Sequence, residues 1–344
     1  MFVKPWILGA LLAALLAGCG QSRGPEDGGV AGSSSGGSSS GGSSSGGATT
    51  SSCDPPRFED DFLRRVVQTA AGGELSEASV ANLSVLSARQ GGVTALDGLE
   101  CASGLRELEL TGNAITELGP LARLERLEEL RIDGNPLSDL GPLSELRALR
   151  ELSANDTRVA DLSPLSGLPA LETLLIARTP VSSFEPLSGV DSLRALFAPD
   201  VRVTSLEPLF GKTLTTLTLA RAPLEDLTAL GGFPQLVNLD FSETGATSLE
   251  PLNGFTDLAE LVASGNDIER VDALVTMPKL VVVKLDRNRI TELDALTKAP
   301  WMSAVELNFA GNPLSDHAVN DIVPELCARG FKVAADRVNC GEKP

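Results

Sequence analysis

Three glutamates recur at a fixed interval and are the residues that most suggest chemistry. Glu107, Glu129 and Glu151 are separated by 22 residues each. On adjacent strands of one parallel sheet, their carboxyl groups would lie about 5 Å apart, close to the separation in a retaining glycosidase. An open, hydrated sheet has no cleft to raise one carboxyl pKa. We therefore interpret them as a solvated charged face, with a carboxylate-dependent glycan hydrolase and a calcium site as alternatives. The nearby arginines that would neutralise them are Arg106, Arg131 and Arg150.

Other residues capable of chemistry are few. His317 is the single histidine, tyrosine is absent, and the five cysteines form no CxxC pair. Metal and redox sites of the common cysteine types are therefore not expected. The sequence predicts no enzyme, no catalytic residue, no cofactor and no metal.

The formal net charge of −18 restricts the partners. A chain this acidic cannot neutralise phosphates, which argues against nucleic acid as a partner. It also argues against electrostatic binding to an anionic membrane surface.

A leucine pattern positions these residues along the chain. Residues 105–126 read LRELELTGNAITELGPLARLER, and the same spacing returns over the next 22 residues. A short fixed period of this kind is typical of a solenoid. A degenerate copy beginning at Leu83 precedes the regular units, which makes about eleven units in all. The regular units begin at Leu105, Leu127, Leu149, Leu171, Leu193, Leu214, Leu236, Leu258, Leu280 and Ala304.

The pattern L-x-x-L-x-L-x-x-N-x-I/L resembles the leucine-rich repeat. Its continuation D/E-L-x-P-L, as in 117–121, is similar to the bacterial internalin-type subclass. The resemblance implies an α/β solenoid: a leucine-rich-repeat horseshoe with a parallel concave sheet, short 3₁₀ turns on the convex side, a helical N-terminal cap and a C-terminal cap.

Within a unit, alternation places Leu108 and Leu110 inward and Glu107 and Glu109 outward. Asn113 is expected to face inward and to bond backbone groups of the loop. This asparagine position is altered in the central units, which indicates either drift toward weaker hydrogen bonds or loops adapted to a ligand. The altered residues are Thr157, Thr179, Val201, Ala222 and Thr244.

The N-terminal residues predict export and lipidation. Residues 1–18 combine one lysine with a short apolar run, which is typical of a signal peptide. The end of this segment, Leu-Ala-Gly followed by Cys19, resembles the bacterial lipobox; an ordinary secretory peptide is the alternative. The resemblance implies acyl chains on Cys19 and anchoring to the bacterial cell envelope, at the outer membrane if the cell is Gram-negative. Residues 19–52 form a Gly/Ser linker that has nothing to bury.

The remaining segments predict two caps around the repeats. Residues 53–82 should form a helical N-terminal cap, with helices over 57–71 and from Ser76 to about Asn82. Residues 83–311 carry the repeats, and 312–344 form a C-terminal cap with a helix over 316–328 that Pro324 kinks or divides. Four cysteines allow three pairings. Because the ends of a solenoid are far apart, we predict Cys53–Cys101 and Cys327–Cys340.

Two apolar residues at outward strand positions, where most units have polar ones, predict the ligand site. Leu175 and Phe197 are adjacent outward residues among mostly polar ones, and such patches mark interfaces. Arg178 and Asp200 border the patch, and Ser153 and Thr218 occupy the neighbouring strands. The glutamate stripe is the secondary candidate.

These features predict a monomeric, membrane-anchored binding module that engages a protein or glycan through its concave face. Its contact with the membrane would be through the lipid on Cys19 only. A structural envelope lipoprotein without a specific ligand is the alternative, and self-association through the apolar patch is another.

Overall fold

The computed structural model describes residues 53–224, 227–301 and 304–340. The predicted signal peptide, Cys19 and the linker lie outside the described residues.

In the described residues, thirteen short strands form one sheet in the order of the sequence. Strands β1 to β12 are parallel, and β13 pairs antiparallel with β12. The middle residue of each repeat strand is buried, as Leu108 at 2% exposure and Leu130 at 0% illustrate. The strands are β1 Val85–Ser87, β2 Glu107–Glu109, β3 Glu129–Arg131, β4 Glu151–Ser153, β5 Thr173–Leu175, β6 Ala195–Phe197, β7 Thr216–Thr218, β8 Asn238–Asp240, β9 Glu260–Val262, β10 Val282–Lys284, β11 Glu306–Asn308, β12 Lys332–Ala335 and β13 Val338–Cys340.

The return segment of each unit contains a short 3₁₀ helix, as predicted. Proline occupies the first or second position in six of them, where its missing N–H has no intrahelical partner to lose. These helices are Leu99–Cys101, Gly119–Arg123, Gly141–Leu143, Ser163–Leu165, Glu185–Gly189, Glu207–Leu209, Leu227–Gly232, Glu250–Leu252, Asp272–Thr276 and Asp294–Lys298.

One core position departs from the leucine pattern. Lys212 is 8% exposed where the other units place a buried apolar residue. Its ammonium group donates to the Ser188 carbonyl at 2.6 Å and to Asp191 Oδ1 at 3.0 Å. A buried charge is tolerated when its donors are satisfied in this way. The apolar equivalents are Leu124, Leu146, Leu168, Val190, Phe233, Phe255, Met277 and Ala299.

The N-terminal cap contains helices α1, Asp61–Ala70, and α2, Glu77–Ala81. The predicted start of α1 at residue 57 was wrong, because the Asp60 carboxylate caps the helix by accepting from the Leu63 amide. Phe62 and Val66 are partly buried and pack against the core. Leu63 and Val67 are the fully buried residues of α1.

The start of α2 was predicted correctly. Ser76 is its N-cap, and Ser76 and Ser79 bond each other reciprocally. This satisfies two amides that a helix start otherwise leaves without partners.

The C-terminal cap confirms that proline divides the predicted helix. A π-helical turn, Ala318–Ile322, precedes helix α3, Val323–Ala328. Pro324 lacks the N–H that a continuous α-helix would use, so the wider turn accommodates it. Strand β12 follows this helix, and the hairpin that adds β13 was not predicted.

Both caps contain a disulfide bond. Cys53 is joined to Cys101 and Cys327 to Cys340, which are the pairs predicted from the sequence. Each bond ties a cap element to an adjacent part of the solenoid end, where the terminal unit would otherwise expose its apolar edge.

Candidate binding face of the sheet

The concave face consists of the outward residues of β2 to β11 and of the position two residues beyond each strand. Alternation along each strand turns these side chains away from the core. The strand pairing places equivalent positions of consecutive units side by side, as in Glu107–Glu129 and Leu175–Phe197. Side chains 22 residues apart in sequence therefore become neighbours along this face.

This face is strongly acidic. It carries nine carboxylates and two basic groups, a difference of −7 within a chain whose total is −18. The basic groups are Arg131 and Lys284. The carboxylates are Glu107, Glu109, Glu129, Asp133, Glu151, Asp240, Glu260, Asp286 and Glu306.

The glutamate stripe forms an ion cluster around Arg131. The guanidinium nitrogens lie 3.5 Å from carboxylate oxygens of Glu109, Glu129 and Glu151. Glu151 is 6% exposed, whereas Glu107 at the end of the stripe is exposed. A guanidinium held among three carboxylates offsets part of their mutual repulsion. The arrangement is that of a structural charge cluster.

The predicted exposed apolar patch requires correction. The predicted register is confirmed, because Leu174 and Leu196 point into the core while Leu175 and Phe197 face outward as paired neighbours. However, Leu175 is only 6% exposed and Phe197 only 4%. Strands about 4.8 Å apart bring large adjacent side chains into contact, so they shield each other from water. Leu175 and Phe197 therefore form a packed apolar floor of the concave face and not an open surface.

The polar neighbours of that floor are also shielded. Ser153 is 3% exposed and Thr218 is 5% exposed. Ser153 donates to Asp133 Oδ1 at 2.6 Å. The predicted site residues are thus brought together on one face, but with far less exposure than the sequence suggested.

The residues predicted to border the patch are engaged in ion pairs at the rim. Arg178 donates two hydrogen bonds of 2.5 Å to the Asp156 carboxylate. Asp200 accepts two from Arg221, at 2.5 and 2.6 Å. These hydrogen bonds raise the pKa of Arg178 and of Arg221. Arg178 and Asp200 therefore tie consecutive units together at the edge of the concave face.

The sequence did not predict the burial of Asp240 or its raised pKa. It is half-buried, and its Oδ1 accepts from the Ser242 amide at 2.9 Å and from the Ser242 hydroxyl at 2.7 Å. Burial is the main cause that raises its pKa, against these hydrogen bonds and the charges of Arg221 and Lys284. The pKa of Glu260 on the next strand is also raised, chiefly by burial. The sequence shows only an acidic outward residue at each position.

The sequence also did not predict that the Thr218 hydroxyl is buried without a hydrogen-bond partner. Its oxygen is buried and has no hydrogen-bond partner in the described part of the chain. Unpaired buried hydroxyls are uncommon, because they lose their bond to water without a replacement. Sequence alone carries no signal for this state.

Concavities of the described part of the chain also lie away from the sheet face. A groove of about 630 Å³ on the convex side includes Phe210, which is 49% exposed and packs against Phe233 with ring centroids 5.9 Å apart. A second, of about 380 Å³, lies at the rim beside Asp156 and Arg178. Within residues 53–224, 227–301 and 304–340, no acidic, histidine or cysteine side chains are grouped as metal ligands. No helix in these ranges has the length and hydropathy needed to cross a membrane.

Comparison with known proteins supports the fold. Residues 103–145 match the family model described as leucine-rich repeats (2 copies). No curated protein matches the sequence. The chain resembles the crystal structure of an internalin (inlF) from Listeria monocytogenes, with 23% identity and a TM-score of 0.69, covering 81% of this chain and 90% of the internalin.

Two other structures share the architecture. A leucine-rich-repeat protein of Leptospira interrogans is 16% identical with a TM-score of 0.56, covering 79% of this chain and 98% of the other. The ectodomain of the plant receptor kinase GASSHO1/SCHENGEN3 from Arabidopsis thaliana, solved with CASPARIAN STRIP INTEGRITY FACTOR 2, is 19% identical with a TM-score of 0.56. That match covers 69% of this chain and 31% of the receptor chain. At these identities the likeness establishes the fold.

Proposed function

Because the chain carries a leucine-rich-repeat solenoid with internalin-like neighbours, we propose that it is an exported, lipid-anchored module that binds a protein through its concave face. The fold alone does not fix a function. The observation that supports this proposal is the charge of the concave face, which carries nine carboxylates and two basic groups around its apolar floor.

A protein partner suits this surface better than a glycan. A basic polypeptide would neutralise the surplus of carboxylates on this face, and such complementarity directs both encounter and specificity. Neutral sugars would leave the charges without counterparts. The surplus of acid also argues against an acidic glycan.

The anchor is proposed from the sequence and the disulfides together. Disulfide bonds form and persist in exported proteins, which agrees with a signal segment before Cys19. Several acyl chains hold a protein on a bilayer where one chain does not. The Gly/Ser linker would then separate the binding domain from the membrane surface.

The proposal is tested with the tagged full-length protein, cross-linked in intact cells and purified. Captured proteins are compared with those from a variant carrying Glu107→Lys, Glu260→Lys and Glu306→Lys on the concave face. The expected result is at least a tenfold loss of a specific captured protein. A matched control carries Glu125→Lys, Glu185→Lys and Glu207→Lys, three exposed acids of the return segments, and should retain that protein.

Equal loss in both variants would indicate non-specific charge attraction and contradict the concave site. Recovery of no saturable partner would instead favour a structural envelope component. For the anchor, Cys19→Ala is expected to abolish incorporation of labelled fatty acid and release the protein from the membrane fraction. Persistent labelling would contradict the proposed lipid site.

A further inference from the structure

The Thr218 hydroxyl lies in an unusual position on the concave face. Other buried hydroxyls of this face have side-chain partners. Ser153 donates to Asp133 and Ser264 to Asp286, each at 2.6 Å, and Ser242 donates to Asp240 at 2.7 Å. Thr216 accepts from Asn238 Nδ2 at 3.2 Å. Thr218 is 5% exposed, and its hydroxyl has no partner among the described residues. A buried polar group without a partner destabilises the free protein. Such a group is expected where the missing partner belongs to a ligand.

The two neighbours of Thr218 across the sheet are Phe197 and Asp240. The register pairs Thr218 with Phe197 on β6 and with Asp240 on β8. Since strands are about 4.8 Å apart, Phe197 and Asp240 flank Thr218 with about 10 Å between their backbones. An aromatic ring, a hydroxyl and a carboxylate are thus aligned across three strands.

Asp240 lacks a counter-charge at close range. No basic group in residues 53–224, 227–301 or 304–340 is within ion-pair distance of it. Lys284 and Arg221 act on it only at longer range. A half-buried carboxylate in this state gains from an added cation, because the cation restores the stabilisation that water no longer provides.

Phe197 supplies the opposite side of the site. Its side chain belongs to the outward floor and not to the core cluster, although it is only 4% exposed. The face of an aromatic ring attracts ammonium and guanidinium groups within about 6 Å of its centroid. A cation bound to Asp240 above Thr218 would lie within reach of this ring after a small side-chain rotation, a common adjustment at interfaces.

We propose that Phe197, Thr218 and Asp240 form a subsite that receives a lysine or arginine side chain from a basic segment of the protein partner. The inference rests on the proposed function and specifies the chemistry of the partner. The Thr218 hydroxyl accepts an N–H of the incoming cation, Asp240 supplies the charge, and Phe197 covers the aliphatic stem. The carboxylates further along the face, such as Glu260 and Glu306, favour further basic residues in the same segment.

The test uses the full-length protein in detergent and two labelled peptides, measured by fluorescence anisotropy. The first peptide is acetyl-Lys-Gly-Ala-Lys-Ala-Gly-Lys-amide, and the second replaces the central lysine with norleucine. We expect the lysine peptide to bind about tenfold more tightly at neutral pH. Asp240→Asn and Thr218→Val should each remove most of that difference. Glu125→Gln, which removes one exposed acid of a return segment, should preserve it.

Thermal melting separates a binding role from a structural one. Thr218→Val should raise the melting temperature while weakening the lysine peptide, since the methyl group that replaces the hydroxyl needs no partner. Thr218→Ser keeps the hydroxyl and should preserve binding, which also controls for any folding defect of the valine variant.

Equal affinity for the two peptides would overturn the subsite. Unchanged binding by Thr218→Val would also overturn it. A lower melting temperature of Thr218→Val would overturn it too, because it would show that the hydroxyl already has a partner. The variant with Glu107→Lys, Glu260→Lys and Glu306→Lys tests the proposed function separately. If it captures the same proteins as wild type, the proposed function is contradicted. A preference for the lysine peptide in that case would still support the subsite. The two inferences can therefore fail separately.

Discussion

The turns that end the strands are of two kinds, and the difference divides the solenoid into flanking and central repeats. In most flanking units a glycine with positive φ precedes a buried asparagine, as at Gly134–Asn135 and Gly265–Asn266. In the central units a charged residue takes the positive-φ position, and the asparagine is replaced by threonine, valine or alanine. The central pairs are Asp156–Thr157, Arg178–Thr179, Asp200–Val201, Arg221–Ala222 and Glu243–Thr244.

Flanking turns are joined by buried hydrogen bonds between units. Asn135 is 1% exposed, and its Oδ1 accepts from the Ile115 amide at 3.0 Å. Its Nδ2 donates to the Leu110 carbonyl of the preceding unit at 3.0 Å and to Ile132 at 2.9 Å. In a central turn, Thr157 makes one bond, to the Ala154 carbonyl of its own unit at 2.7 Å. Thr157 and Thr179 thus each make one side-chain hydrogen bond within their own unit, where Asn135 also bonds the preceding unit.

Central turns are joined instead at the rim. Asp156 pairs with Arg178, and Asp200 with Arg221, so consecutive units are linked by half-exposed ion pairs. A residue with a Cβ atom in the left-handed region costs about 1–2 kcal/mol relative to glycine. Exposed ion pairs each contribute up to about 1 kcal/mol. The central repeats, which also carry the proposed subsite, therefore have weaker connections between units.

The largest expected effect is the loss of a flanking asparagine. Asn135→Ala should lower the free energy of unfolding by about 3 kcal/mol, because its three buried hydrogen bonds are lost at about 1 kcal/mol each. Thr157→Ala, the equivalent central substitution, should cost about 1 kcal/mol. Urea unfolding of both variants measures the contrast, and equal losses would contradict the division into two kinds of turn.

Restoring an asparagine in the centre should strengthen it. Thr179 is buried and donates only to the Ile176 carbonyl. Thr179→Asn would place an acceptor near the Val159 amide and a donor near the Ala154 carbonyl, so we expect a gain of about 1–2 kcal/mol. The same unfolding assay reports it. A loss of stability would show that the central backbone cannot accommodate the flanking hydrogen bonds.

The rim ion pairs should contribute less. A double-mutant cycle of Asp156→Ala and Arg178→Ala should give a coupling energy of about 0.5 kcal/mol, since both side chains are about half exposed. The coupling should decrease at high salt, because exposed charges are screened. A salt-independent coupling would indicate that packing, and not charge, joins the central units.

The smallest effect concerns the pH dependence of stability at Asp240. Its folded-state pKa is raised by burial, so the folded protein binds this proton more tightly than the unfolded chain does. Its contribution to stability is thus present below the unfolded pKa and is lost as the pH rises through the folded pKa. Asp240→Asn should be more stable than wild type at neutral pH, and the difference should fall with acidification. Chemical unfolding at several pH values would detect this, and a pH-independent difference would contradict it.

Much of the fold could be predicted because every repeat has the same residue pattern and therefore adopts the same local structure. Leu108 and Leu130 reveal the inward position, and the 22-residue interval fixes which strands pair. The errors occur where the period is absent, as in α1, where Asp60 sets the helix start. The β13 hairpin was missed for the same reason, since a three-residue strand has little pattern of its own.

The candidate site was predicted less completely. Placing Leu175 and Phe197 together on the outward side was correct, because alternation and register are properties of the strand itself. Their exposure was wrong, because it depends on how neighbouring side chains cover one another. The pairing of Arg178 with Asp156 likewise required the geometry of the turns.

The sequence by itself determined the solenoid, its register, the disulfide pairs and the acidic character of the concave face. These follow from spacing, alternation and residue type, which are local or periodic properties of the chain. Only the tertiary structure decided which outward groups are shielded, which charges are paired and which hydroxyl lacks a partner. Those states depend on distances between side chains from different units, set by how adjacent strands pack. The unpaired Thr218 beside Asp240 is therefore a property of three strands together and of no single repeat.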